Sequence, residues 1–180
     1  MWIVLHGVAG YLAADLLAGF WHWAEDRYFR CHWPIIGPYI AAPNELHHTD
    51  QTAFLAGSYW HRNWTTILPC VVGLAVSLLM HAPLWVIVMW VAASQANQIH
   101  AWSHTRSKYR VVRGLQEFGV LQSPRHHAIH HRSPFDCHYC VMTDWLNPVL
   151  DGLRFWLAIE WCLAQLGATV KEPTSSVGPK

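Results

Sequence analysis

Charge is scarce in this sequence. Of its 180 residues only 13% are Asp, Glu, Lys or Arg, about half the roughly 25% usual in a soluble domain, so a surface facing water on all sides would be short of polar groups. No Lys or Arg occurs before Arg27, so the leading apolar stretch, without a basic region, is not expected to be a signal peptide. The balance of 12 Lys and Arg against 11 Asp and Glu leaves a net charge of +1, and a chain so nearly neutral is no polyanion binder; nucleic acid is not an expected partner. Five cysteines give no framework for a secreted disulfide scaffold. A 53% apolar composition likewise excludes a disordered chain.

What is abundant is tryptophan, with 12 residues, and histidine, with 14. Indoles favour the membrane interface, where one edge is apolar and the other wet. Residues Trp2 to Trp23 interrupt an apolar run only at His6, Asp15 and His22, long enough for one span at about 1.5 Å per residue. A second run from Trp64 to Met80 breaks at His81-Ala82-Pro83 and resumes from Leu84 to Ala93, before the polar Ser94-Gln95-Ala96-Asn97. This pattern predicts an all-α integral membrane protein with about three transmembrane helices. The amino end and the His81-Ala82-Pro83 turn then share one side, which carries no Lys or Arg. All 12 basic residues lie on the other side, predicted cytoplasmic by the positive-inside rule. The weaker alternative is a soluble helical protein with a greasy core.

Two segments are expected to lie on the bilayer: a helix from Leu146 to Ala164, whose apolar residues recur every three or four positions, and an apolar loop from Pro34 to Pro43. Residues 1–170 read as one domain and 171–180 as a polar, disordered tail. Of the cysteines, Cys31, Cys137, Cys140 and Cys162 would face a reducing compartment and are expected unpaired. Cys137 and Cys140 lack the second ligand pair of a zinc site.

Four histidine clusters remain. On a helix, Asp15, Gly19, His22 and Asp26 share one face; His22 and Asp26 can bind one metal, or the carboxylate can orient the imidazole. Asp15, about a turn and a half deeper, is an ionisable group in a span and a functional candidate. Adjacent His47 and His48 diverge by about 100° and suit two metals better than one. Asn97, His100 and His104 again share a face, and in the fourth cluster, His126 to His131, the i, i+3 and i, i+4 spacings of His127, His130 and His131 present several imidazoles to a common point. The topology brings all four clusters to the cytoplasmic side. So many imidazoles with a carboxylate exceed one structural or catalytic zinc and leave most of the set unexplained by haem. Two non-haem Fe ions activating O2, acting on a lipid chain, would use them all.

At these residues the sequence resembles the plasmanylethanolamine desaturase family, the Kua-type membrane lipid desaturases, with plant relatives that place a trans double bond in phosphatidylglycerol. The resemblance is carried by Gly19-Phe20-Trp21-His22-Trp23 with Asp26, Pro34-Ile35-Ile36-Gly37, His47-His48, Asn97-Gln98-Ile99-His100-Ala101-Trp102-Ser103-His104, Leu115-Gln116, the His126 to His131 box with Pro134, Tyr139-Cys140 and Trp145-Leu146-Asn147. It implies metal ligands at His22, Asp26, His47, His48, His100, His104, His127, His130 and His131, with His126 a ligand or a support to one. It also implies that Asn97 supports a ligand or holds water. The implied co-substrate is O2, with electrons from a cytochrome b5-type or ferredoxin-type donor protein, a phospholipid substrate, and an inner-membrane or endoplasmic-reticulum location. Asn44-Glu45-Leu46 and Gln51 depart from the family pattern, which bears on the substrate and not on the metals. A hydroxylase using the same residues, a non-catalytic membrane metal or haem protein, and a membrane zinc hydrolase are the competing readings.

Overall fold

The computed structural model describes residues 1–171; the tail expected at 171–180 lies, apart from Lys171, outside the described residues. Among them there are helices and no strands. Helix α1 (Trp2–Arg27) is about 39 Å long at 1.5 Å per residue. After a loop and a π-helical turn at Gly37–Ala41 come α2 (Ala42–Thr49), a single turn α3 (Ala53–Ala56) and the long α4 (Tyr59–Leu79). The chain turns at His81 to Pro83 and returns as α5 (Leu84–Ala93) and α6 (Ala96–Ser103). Four short helices follow: α7 (Arg110–Glu117), α8 (Pro124–His130), α9 (Leu146–Gly152) and α10 (Phe155–Gln165).

Two helices, α1 and α4, are long and apolar enough to cross a membrane. Only 22% and 17% of their most apolar stretches are buried, so these are not the core helices of a soluble protein: Ile3, Val4, Leu68, Val72 and Leu79 point outward. The returning run expected from Leu84 to Ala93 is α5, with the same bounds and only 10 residues long, and a turn separates it from α6. Ser94 and Gln95 form a turn in which the Ser94 hydroxyl donates to the Val91 carbonyl at 2.7 Å, and this side-chain bond competes with the helical ladder. The two parts, α5 and α6, together run parallel to α1 while α4 runs against them. Thr66 reaches the Ser94 carbonyl at 3.4 Å and Trp90 Nε1 donates to Ser77 Oγ at 3.0 Å. The consequence is that the C-terminal ends of α1 and α6 and the N-terminal end of α4 meet.

The single interfacial helix expected from Leu146 to Ala164 is two, because Arg154 adopts φ of 52° between α9 and α10. The apolar loop expected from Pro34 to Pro43 is largely helical. Its Gly37 lies so close to the Cys31 carbonyl that a Cβ would collide with it, so only glycine lets the π-helical turn pack against the preceding backbone. All five cysteines are free.

One non-helical segment runs through the interior. Tyr139 to Thr143 is almost wholly buried, so each of its backbone polar groups needs a partner. Cys140 donates its N–H to Asn147 Oδ1 at 2.9 Å, and its carbonyl accepts from Gln122 Nε2 at 2.6 Å and Asn147 Nδ2 at 2.8 Å. The Met142 and Thr143 amides donate to Asp15 at 2.8 and 3.1 Å, and the Thr143 hydroxyl at 2.6 Å. The segment crosses α1 at Gly19, where a Cβ would stand 2.6 Å from Cys140 Sγ.

Candidate metal centre

Helix α8 begins where the sequence marks a start: the Ser123 hydroxyl accepts from the His126 amide at 3.2 Å and Pro124 occupies the first helical position. From there His127, His130 and His131 project inward, with His127 and His130 wholly buried. Helix α1 contributes His22 and Asp26, α2 contributes His47 and His48, and α6 contributes His100 with His104 just past its end. These nine side chains fall into two neighbouring groups. His47, His100, His104, His127 and His131 form one; His22, Asp26, His48 and His130 form the other. Within each group the candidate ligand atoms all lie within 4.8 Å of one another. The groups touch, with the His22 and His100 ring centres 5.3 Å apart and those of His48 and His131 5.1 Å apart.

The hydrogen bonding inside the first group does not close. His127 Nε2 stands 2.9 Å from His100 Nε2, 2.9 Å from His104 Nε2 and 3.0 Å from His131 Nε2. An imidazole nitrogen holds either a proton or a lone pair, so these contacts cannot all be good hydrogen bonds. Both ring nitrogens of His47 are buried without a partner. Burial pushes His131 down to about 2 and His127 well below the ordinary histidine value, with neighbouring imidazoles adding to the effect. Neutral rings leave lone pairs converging on one point, and a cation there resolves the conflict.

The second group has the same defect around a carboxylate. His22 Nδ1 donates to the Tyr139 carbonyl at 3.1 Å and His130 Nδ1 to the Cys137 carbonyl at 2.8 Å. Their Nε2 lone pairs therefore face Asp26 Oδ2, at 3.7 and 3.2 Å, and neither contact is a hydrogen bond. Asp26 Oδ1 accepts from Asn44 Nδ2 at 2.6 Å and lies 2.8 Å from His48 Nε2. Backbone carbonyls that fix imidazole tautomers from behind are the usual support of metal-binding histidines. The donor set, eight imidazoles and one carboxylate in two groups, fits two borderline transition-metal ions.

Three expected site residues lie elsewhere. His126 turns away from both groups: its ring packs 4.8 Å from His138, and its Nε2 is 3.3 Å from Asn147 Nδ2. On the helix it lies about 100° from His127 and about 140° from His131, beyond His130 on the side away from them. Asp15 is fully buried, with both oxygens engaged by Met142 and Thr143, so it anchors the inner segment. Asn97 sits on a cavity wall with His100, and its Nδ2 donates to the Arg62 carbonyl at 2.8 Å, bracing α4 against α6.

Several participants escape sequence reasoning. The Tyr139 and Cys137 carbonyls are backbone groups, and no side-chain type could signal them. Asn44 carries a signal, three residues before His47 on the same helix. Phe54 packs against His47 and His100, at 5.0 and 4.9 Å between ring centres. A cavity of about 670 Å³ opens beside the five-histidine group, with Ile40, Leu46, Phe54 and Trp64 among its apolar walls and His47 and His100 at its inner side.

The chain matches the lipid desaturase domain family over residues 11–173. It is similar to a plasmanylethanolamine desaturase of Myxococcus xanthus, 32% identical over an alignment 173 positions long that covers 88% of this chain and 60% of that one. Plasmanylethanolamine desaturase 1 of Mus musculus is also 32% identical over an alignment 173 positions long, covering 88% of this chain and 64% of its own length. The chloroplastic fatty acid desaturase 4-like 2 of Arabidopsis thaliana is 35% identical over an alignment 171 positions long that covers 91% of this chain and 61% of the relative. The chain spans about three-fifths of the length of these relatives. No solved structure matches it. The chain, with its paired histidine groups beside an apolar cavity, belongs to the lipid desaturase domain family.

Proposed function

We propose that the protein introduces a C=C bond into a chain of a membrane phospholipid, with the plasmanyl (alkyl ether) to plasmenyl (vinyl ether) conversion as the leading substrate assignment. The observation that carries this reading is the juxtaposition of two metal-competent groups with an apolar-walled cavity of about 670 Å³, a volume in the range of small-molecule sites. Two non-haem Fe ions, when bound, supply the oxidising power to remove two hydrogens from neighbouring carbons. The balance consumes one O2, two electrons from a cytochrome b5-type or ferredoxin-type donor protein and two protons, and releases two waters.

The chain's own residues do the rest. His47, His100, His104, His127 and His131 would hold one ion, and His22, Asp26, His48 and His130 the other. The Tyr139 and Cys137 carbonyls hold the His22 and His130 rings in register, so the ligand geometry is set before metal arrives. The cavity wall at Ile40, Leu46 and Phe54 excludes water and limits which carbons come near the imidazoles. The site lies at the end of the bundle that carries the basic residues, which faces the cytoplasm in a multi-pass arrangement.

Metal content of the purified protein, with mass spectrometry of lipids from cells expressing wild type and His131→Ala, tests the reading. About two irons per chain and a lipid two hydrogens lighter, absent in the variant, are expected. A species one oxygen heavier would make the protein a hydroxylase. One zinc or a haem, with unchanged lipids, would overturn the assignment.

A further inference from the structure

We propose that Arg62 is the residue that binds the phosphate of the phospholipid in this cavity and thereby sets the preference for a phosphate-bearing lipid over a neutral glyceride. The inference deepens the desaturase reading and rests on it for the identity of the cavity as the substrate site.

Arg62 lies on the cavity wall. Its guanidinium is permanently charged, yet no carboxylate among the described residues comes within 4.0 Å of it. Glu25, the carboxylate on the same wall, is outside that reach. All of its side-chain acceptors are neutral: the Gly57 carbonyl at 2.9 Å and the Leu55 carbonyl at 3.4 Å from one terminal nitrogen, and Gln98 Oε1 at 3.1 Å from the other. Nε is buried with no partner at all. A half-buried cation without a counter-ion is costly unless an anion enters the site.

Its position says which anion. Arg62 lies in the first turn of α4, between Trp60 and Trp64, which are 69% and 41% exposed. Exposed indoles in that arrangement mark the headgroup level of a bilayer, where lipid phosphates sit. The same end of this 21-residue helix carries the positive pole of its dipole. A phosphate ester held at Arg62 leaves its chain to follow Ile40, Leu46 and Phe54 towards His47 and His100, all on one cavity. Beyond these contacts the terminal nitrogen that meets Gln98 keeps one further N–H, and a charge-assisted bond from it to a phosphate oxygen is stronger than a neutral one.

The test measures binding and needs no turnover. The purified metal-loaded protein, its Arg62→Gln variant and its Gln98→Glu variant are titrated with a short-chain phosphatidic acid and with the matching diacylglycerol, reading tryptophan fluorescence and lipid retention in native mass spectrometry. Gln98→Glu places a carboxylate beside the guanidinium while keeping the stapling of the 55–57 carbonyls, so it neutralises the charge without removing the residue. Wild type is expected to favour the phosphate-bearing lipid by about tenfold or more, as one charge-assisted contact allows, and both variants to lose that preference. Equal affinity of wild type for the two lipids, or a preference surviving in Gln98→Glu, overturns the proposal. Displacement of the lipid by millimolar inorganic phosphate alone overturns the lipid assignment in favour of a free-phosphate site. Discrimination without a new double bond in cellular lipids would instead leave Arg62's role standing and refute the desaturase reading.

Discussion

Gly19→Ala sets two physical effects against each other. In the middle of a helix the exchange gains roughly 0.5–1 kcal/mol of backbone preference. Here the new Cβ would stand 2.6 Å from Cys140 Sγ and 3.2 Å from the Cys140 backbone, well inside the roughly 3.5–4 Å optimum for such contacts. Cys140 cannot retreat cheaply. It is wholly buried, its amide and carbonyl are held by Asn147 and Gln122, and the preceding carbonyl orients His22. Overpacking of this kind costs about 1–3 kcal/mol, so the net change is destabilising by up to about 2 kcal/mol, and the displaced Tyr139 carbonyl loosens the four-residue metal group. Gly7 is the control, since a Cβ there meets nothing within 4 Å and Gly7→Ala retains the helix gain. Equilibrium unfolding in detergent micelles, with metal bound per chain, reads both variants. Gly19→Ala should lower stability and metal content while Gly7→Ala lowers neither, and adding Cys140→Ala to Gly19→Ala should recover part of the loss. Gly19→Ala as stable as Gly7→Ala, with full metal content, would refute the close packing of the inner segment on α1.

Asp15→Ala should destabilise by about 2–6 kcal/mol, because it strands two buried backbone amides at about 1–3 kcal/mol each; an unfolding midpoint unchanged from wild type would contradict the anchoring role. His126→Gln should keep bound metal near the wild-type level and His127→Gln should lose it, as measured by metal analysis; equal losses would place His126 among the ligands. His138 is raised to about 9: burial opposes the charged form, but Asp151, 2.6 Å from Nδ1, and Cys137 outweigh it. A folded value above the unfolded one means the ion pair stabilises fully below about pH 6.5 and its contribution disappears as pH rises through about 9. Asp151→Asn should therefore flatten the pH dependence of unfolding between those limits, and an unaltered pH profile would exclude the pair. Chelation should lower the unfolding temperature of wild type, since bound metal stabilises only the folded state, and should leave His127→Gln almost unaffected.

The sequence by itself determined what is local. Apolar runs long enough for α1 and α4 are countable, and a 3.6-residue period places His22 with Asp26 and His127 with His131 on common faces without any knowledge of the fold. The 100° step between neighbours also separates residues: His47 and His48 fall in different groups, as do His130 and His131. Only tertiary structure decided which face meets which. That His48 joins His22 and not His100 depends on how α2 packs on α1. The exclusion of His126 depends on the direction in which α8 points. Asp15 shows the limit most clearly. Its burial at depth was legible, but its use was not, because the partners that claim its oxygens are backbone amides at Met142 and Thr143, more than 120 residues away. Backbone groups are the same at every position, so spacing cannot announce them, and only the folded chain brings a particular amide to a particular carboxylate.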